Sequence, residues 1–124
     1  MGTKSRESVV RRLRVVESRR AVVLDELAQT DALIAGSLSE VLRRCGKPSC
    51  HCAERPGHPQ AILMMVENGR RRCKLVRQAD IPAVRQAVER YRSFRKGLRT
   101  LSALDLKAIA LLKELRRLRD KGYE

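Results

Sequence analysis

The chain has 124 residues, a length that suits one buried core, so a single domain over residues 1–124 is expected. One Phe, two Tyr and no Trp exclude an aromatic core and favour helices built on Leu, Val, Ile and Ala. The 28 Lys and Arg against 14 Asp and Glu give a net charge of +14, which repels itself unless salt or an acidic partner offsets it and makes a polyanion the natural partner.

No apolar run approaches the ~18 residues of a membrane-spanning helix. Residues 1–20 are basic but lack the apolar stretch and small-residue cleavage site of a secretory signal. A cytoplasmic protein without membrane association is therefore expected.

The first predicted element is an amphipathic helix over residues 5–35, where Val9, Leu13, Val16, Val23, Leu27 and Ile34 recur at helical intervals. Gly36 is its expected stop. Residues 38–44 suit either a strand or a further helical turn, and the strand is preferred. The middle segment, residues 36–79, is expected to hold a metal cluster and a β-hairpin. Asn68-Gly69 supplies the positive φ angles that a two-residue hairpin turn needs. Pairing Glu67 with Arg70 sets Val66 opposite Arg71, Met64 opposite Cys73 and Ile62 opposite Leu75, and this mainly apolar side is expected to be buried.

A second long helix is predicted over residues 80–121, with Asp80 as cap and Pro82 in the first turn. Its apolar set is Ile81, Val84, Val88, Tyr91, Leu98, Leu101, Leu104, Ala108, Leu111, Leu115 and Leu118, with Gly97 as its weak point. Some forty residues at this spacing predict a coiled-coil-like pairing, with the first helix as antiparallel partner. The expected fold is thus mainly α with a small β element: two long helices in an antiparallel coiled-coil-like pair flanking a zinc-stabilised β-hairpin tip.

Cys45, Cys50, Cys52 and His58 are separated by four, one and five intervening residues, enough to close a tetrahedral shell around zinc. Gly46 and Pro48 allow the tight turns that make the ligands converge. Four protein ligands imply a structural ion. Glu54 is the only acid within the cluster, which with the absence of a Ser-His-Asp, paired-carboxylate or phosphate-loop arrangement predicts that the chain is not an enzyme. Unliganded thiols or Cys-x-Cys redox chemistry are the competing readings. Cys73 is an alternative fourth ligand, although the hairpin register favours a core position for it. His51, between two ligands, is expected to face solvent.

The residues Gly36-Ser37-Leu38-Ser39-Glu40, the run from Arg44 to Cys52 (Arg-Cys-Gly-Lys-Pro-Ser-Cys-His-Cys), Gly57-His58 and the stretch 88–95 (Val-Glu-Arg-Tyr-Arg-Ser-Phe-Arg) carry a resemblance. Over roughly residues 30–118 the chain resembles an uncharacterised bacterial family of short proteins, a domain of unknown function often encoded beside transposases. The resemblance implies a metal site and a mobile-element context, and no activity. This chain departs from the family pattern after His58, where Pro59-Gln60-Ala61-Ile62-Leu63 replaces a glycine-proline and aromatic run.

Arg70, Arg71, Arg72 and Lys74 surround the predicted turn, and Arg43, Arg44 and Lys47 adjoin the cysteine cluster. Gathered at one folded tip, these residues suit phosphates, so nucleic-acid binding through the backbone is the expected function. Low aromatic content disfavours base stacking on single strands. Arg85, Arg92 and Arg99 repeat every seven residues along the second helix and are expected to pair with Glu17, Asp25, Glu26 or Asp31 across the helix seam, or to contact nucleic acid. A small basic zinc-containing accessory protein, linked to a transposase or recombinase, is the leading expectation. A coiled-coil oligomerisation or adaptor module, as a homodimer or with another subunit, is the alternative.

Overall fold

A computed structural model describes residues 5–44, 46–51 and 57–123. The elements in chain order are helix α1 (Arg6–Ala28), strands β1 (Gly36–Arg43), β2 (His58–Glu67) and β3 (Arg70–Val76), a short 3-10 turn (Gln78–Asp80) and helix α2 (Ile81–Arg119). They group into two compact units. One comprises Met1–Thr30 with Phe94–Glu124, and the other Asp31–Ser93.

In the first unit, α1 begins where the Ser5 hydroxyl accepts a hydrogen bond from the Ser8 N–H at 3.2 Å, with Glu7 in the first turn against the positive end of the helix dipole. The core consists of Val9 and Val16 from α1 with Leu104, Leu111 and Leu115 from α2. Val10, Leu13, Val23 and Ala108 pack around it. Beside this core, Arg20 Nε donates to Asp105 at 2.7 Å. Further along, Gly97 leaves room for Leu27: a Cβ at position 97 would stand 2.6 Å from the Leu27 side chain. Leu98 and Leu118, both predicted as core, remain 47% and 42% exposed.

The helix α1 ends at Ala28, well short of Gly36. The Thr30 N–H bonds the Leu27 carbonyl and its hydroxyl the Glu26 carbonyl, closing the last turn with local partners. Residues beyond it find their partners on α2 instead of continuing the helix. Ile34 N–H donates to the Ala87 carbonyl at 3.1 Å, and Arg90 reaches the Ala32 carbonyl at 2.9 Å. Gly36 therefore serves β1, where a Cβ would meet the Met64 carbonyl oxygen at 2.6 Å.

In the second unit the strands form an antiparallel sheet in the order β1-β2-β3. The predicted hairpin register holds, from Glu67 opposite Arg70 to Ile62 opposite Leu75. Asn68 and Gly69 have φ of 51° and 77°, as the turn requires. The buried face is the reverse of the expected one. Ala61 and Leu63 are buried, whereas Val66 and Leu75 are 69% and 65% exposed and Cys73 is also exposed. The start of α2 lies over the Ala61 side: Glu40, opposite Ala61, receives a forked pair of hydrogen bonds from Arg85. Ile81 and Val88 of α2 complete the buried set of this unit among the described residues.

The expected coiled-coil-like helix pair flanking a zinc-stabilised hairpin tip is overturned. The hairpin is part of a three-stranded sheet, and the α1 core draws only on the later part of α2, the earlier part belonging with the sheet. Among the described residues, no three His, Cys, Asp or Glu side chains converge as a metal-holding group. Nor is any described helix long and apolar enough to cross a membrane.

Candidate nucleic-acid interface and metal ligands

The connection from β1 to β2 carries the cysteine cluster. Gly46 takes a φ of 85°, and the Cys50 N–H bonds back to the Lys47 carbonyl at 3.1 Å, closing a tight turn. This turn brings Cys50 Sγ to 3.1 Å from His58 Nε2 at the start of β2. The separation is close to the ~3.5 Å edge between sulfur and nitrogen on one tetrahedral zinc. Two of the four predicted ligands therefore lie beside each other, while Cys45 and Cys52 lie outside the described residues. His51 is exposed, with its ring 5.4 Å from that of His58 and its Nδ1 3.8 Å from Cys50 Sγ.

Cys73 is remote from this turn. It stands opposite Met64, six residues along β2 from His58, a separation of about 20 Å. It is an exposed free thiol, neither a core residue nor within reach of the Cys50–His58 pair.

The two basic sets do not share a tip. Arg43 pairs with His58 at one end of β2, and Arg70 pairs with Glu67 at the other. The ten residues of β2 separate these ends by about 30 Å. Arg43, Arg44 and Lys47 sit at the Cys50–His58 end; Arg70, Arg71, Arg72 and Lys74 line the turn end, and all seven are exposed. Sequence adjacency to a cysteine could not reveal this, because an antiparallel strand carries its two ends to opposite sides of the sheet.

At the turn end, Glu67, Asn68, Arg70, Arg71 and Arg72 line a surface concavity. Glu67 is the only acid between residues 58 and 76, and its carboxylate holds Arg72 at 2.7 Å. The cross-strand neighbours that β pairing creates leave Arg70 and Arg71 with no acidic partner among the described residues. Field lines from three arginines and Lys74 thus meet one carboxylate, and the strand presents a strongly positive edge.

The arginine stripe of α2 divides differently from the expectation. Arg85 binds Glu40 of the sheet, and Arg92 approaches Glu89 of its own helix at 3.4 Å. An ion pair that does join the two helices is Arg20–Asp105, which seven-residue spacing on α2 alone does not identify. The Arg85 hydrogen bonds hold the Glu40 carboxyl below the usual carboxylate range, and Glu40 in turn raises the Arg85 guanidinium.

A family model described as Domain of unknown function (DUF6788) matches residues 13–86. That span takes in most of α1, the whole sheet and the first turns of α2. No curated protein and no solved structure matches the chain.

Proposed function

The chain belongs to the family described as Domain of unknown function (DUF6788), the match spanning more than half of its length, and from that premise we propose that it is a small basic nucleic-acid-binding accessory protein. The observation that carries this reading is the exposed edge formed by Arg70, Arg71, Arg72 and Lys74, with Glu67 as the only acid on the hairpin. Phosphate contacts by such residues release counterions and give binding that weakens steeply with salt. Arg43, Arg44 and Lys47 supply a second contact about 30 Å away, close to the ~34 Å of one duplex turn. Both ends of the sheet can then address one face of a duplex, with no enzymatic step required.

A structural zinc ion is part of the proposal, with Cys45, Cys50, Cys52 and His58 as its ligands; the 3.1 Å approach of Cys50 Sγ to His58 Nε2 supports it. Its role would be to fix the β1–β2 connection that presents Arg43, Arg44 and Lys47. The link to a transposase or recombinase rests on the family resemblance alone.

The test is a titration of the full chain against duplex nucleic acid across a salt series, with metal content measured on the same sample. The expected result is about one zinc per chain and salt-sensitive binding. Cys50→Ser should lose the metal and weaken binding. Absence of binding at low salt would remove the reading.

A second reading, an oligomerisation module, is favoured by Leu98, Ile109 and Leu112 of α2, each about half exposed. A concentration-dependent dimer by sedimentation, with no affinity for DNA or RNA, would select it.

A further inference from the structure

The third strand does not reach the hairpin turn. β1 pairs with β2 only as far as Gly36 opposite Met65, whereas β2 and β3 remain paired to Glu67 opposite Arg70. Val66, Glu67, Asn68, Gly69, Arg70 and Arg71 therefore extend beyond β1 as a two-stranded arm, and every one of them is exposed. The arm ends in a two-residue hairpin loop, with both turn residues at positive φ.

Its side chains are sorted by the pleat. Arg70 and Arg71 are consecutive and so lie on opposite faces of the ribbon, and neither has an acidic partner among the described residues. Arg72 is tied across the ribbon to Glu67 at 2.7 Å. Val66 stands opposite Arg71 on the same face and gives that face one apolar contact beside a guanidinium.

We propose that this arm enters the major groove of B-form duplex DNA, with Arg70 and Arg71 reaching base edges and the groove wall. The inference rests on the nucleic-acid reading above and names the form of the ligand. Paired strands lie about 4.8 Å apart, and the B-DNA major groove, about 12 Å wide and 8.5 Å deep, admits a two-stranded ribbon. The major groove of A-form RNA is too deep and narrow for side chains to read. An arginine presents two donors to guanine O6 and N7, and an aliphatic side chain beside it can meet a thymine methyl. Arg72 and Lys74, farther from the turn, then face the phosphates that border the groove.

The experiment compares the full chain with Arg70→Ala/Arg71→Ala and with a control of equal charge loss, Arg116→Ala/Arg117→Ala. Each is titrated by fluorescence anisotropy, at one fixed low salt, against a mixed-sequence DNA duplex and an RNA duplex of the same sequence. Dimethyl sulfate footprinting reads guanine N7 in the major groove and adenine N3 in the minor groove. The expected result is preference for DNA, protection of guanine N7, and loss of that protection in the arm variant with a fall in affinity on the order of ten- to a hundredfold. Thermal melting should leave the arm variant unchanged, since both residues are exposed. DNA binding in which the arm variant loses no more than the control and guanine N7 stays reactive would overturn the arm while leaving the nucleic-acid reading intact. Equal or tighter binding of the RNA duplex would also overturn it. No binding to either duplex would remove the parent reading as well.

Discussion

The helical unit and the sheet unit solve the burial problem differently. In the helical unit, Val9, Val16, Leu104, Leu111 and Leu115 all meet in one core, so these apolar residues at helical spacing cover one another. In the sheet unit the more apolar face, with Ile62, Met64, Val66 and Leu75, is the one turned away, while the buried face continues onto β3 as Arg70, Arg72 and Lys74. A helix can satisfy one stripe by rotating about its axis. A strand offers only two faces, and the neighbour that covers one of them decides between them. Here the α2 start lands on the side of the small residue Ala61, anchored by Arg85 on Glu40.

The sharpest test of this contrast is a cavity in the helical core. Leu111→Ala should destabilise the fold by about 3 kcal/mol, read as a shift in denaturation midpoint, because Leu111 is only 7% exposed and its neighbours cannot fully collapse around the void. The next largest effect belongs to the sheet. Gly36→Ala should cost about 2 kcal/mol, since the new Cβ meets the Met64 carbonyl oxygen, a backbone atom held within the sheet ladder. By comparison, Val66→Ser and Leu75→Ser should each change stability by less than about 0.5 kcal/mol. Costs above about 1 kcal/mol for both would mean that this face is covered in solution, and the contrast between the units would vanish.

The same contrast explains what the sequence made legible. Helical spacing identified α1, α2 and all of their buried residues among those described, because a 3.6-residue period marks one stripe. The hairpin register was equally legible, since Asn68-Gly69 admits one turn type and that turn fixes every pair. Which face is buried was not, because alternation is symmetrical and the face is covered by α2, whose Arg85 meets Glu40 from 45 residues away. The α1 terminus was missed for a related reason: the backbone groups of Ala32 and Ile34 find partners on α2, and no local signal announces them. Of the candidate site, the Cys50–His58 approach follows from spacing, whereas the separation of the two basic sets follows from strand direction and emerges only when β1 is paired with β2.

The smallest expected effect tests the anchor itself. The Glu40 carboxyl is held below the usual carboxylate range by the Arg85 hydrogen bonds, so its contribution to stability is present above the ordinary carboxylate range and is lost as pH falls through the lowered value. Glu40→Gln should therefore be slightly less stable than the parent at neutral pH and indistinguishable from it well below the carboxylate range, with thermal melts across pH as the readout. The gap should also narrow at high salt, because the Arg85 and Glu40 side chains are 53% and 42% exposed and water and ions screen the pair. A gap that persists into acid would show that the Glu40 side chain acts through packing on the sheet and not through its charge. In that case some contact other than this ion pair selects the face on which α2 lies.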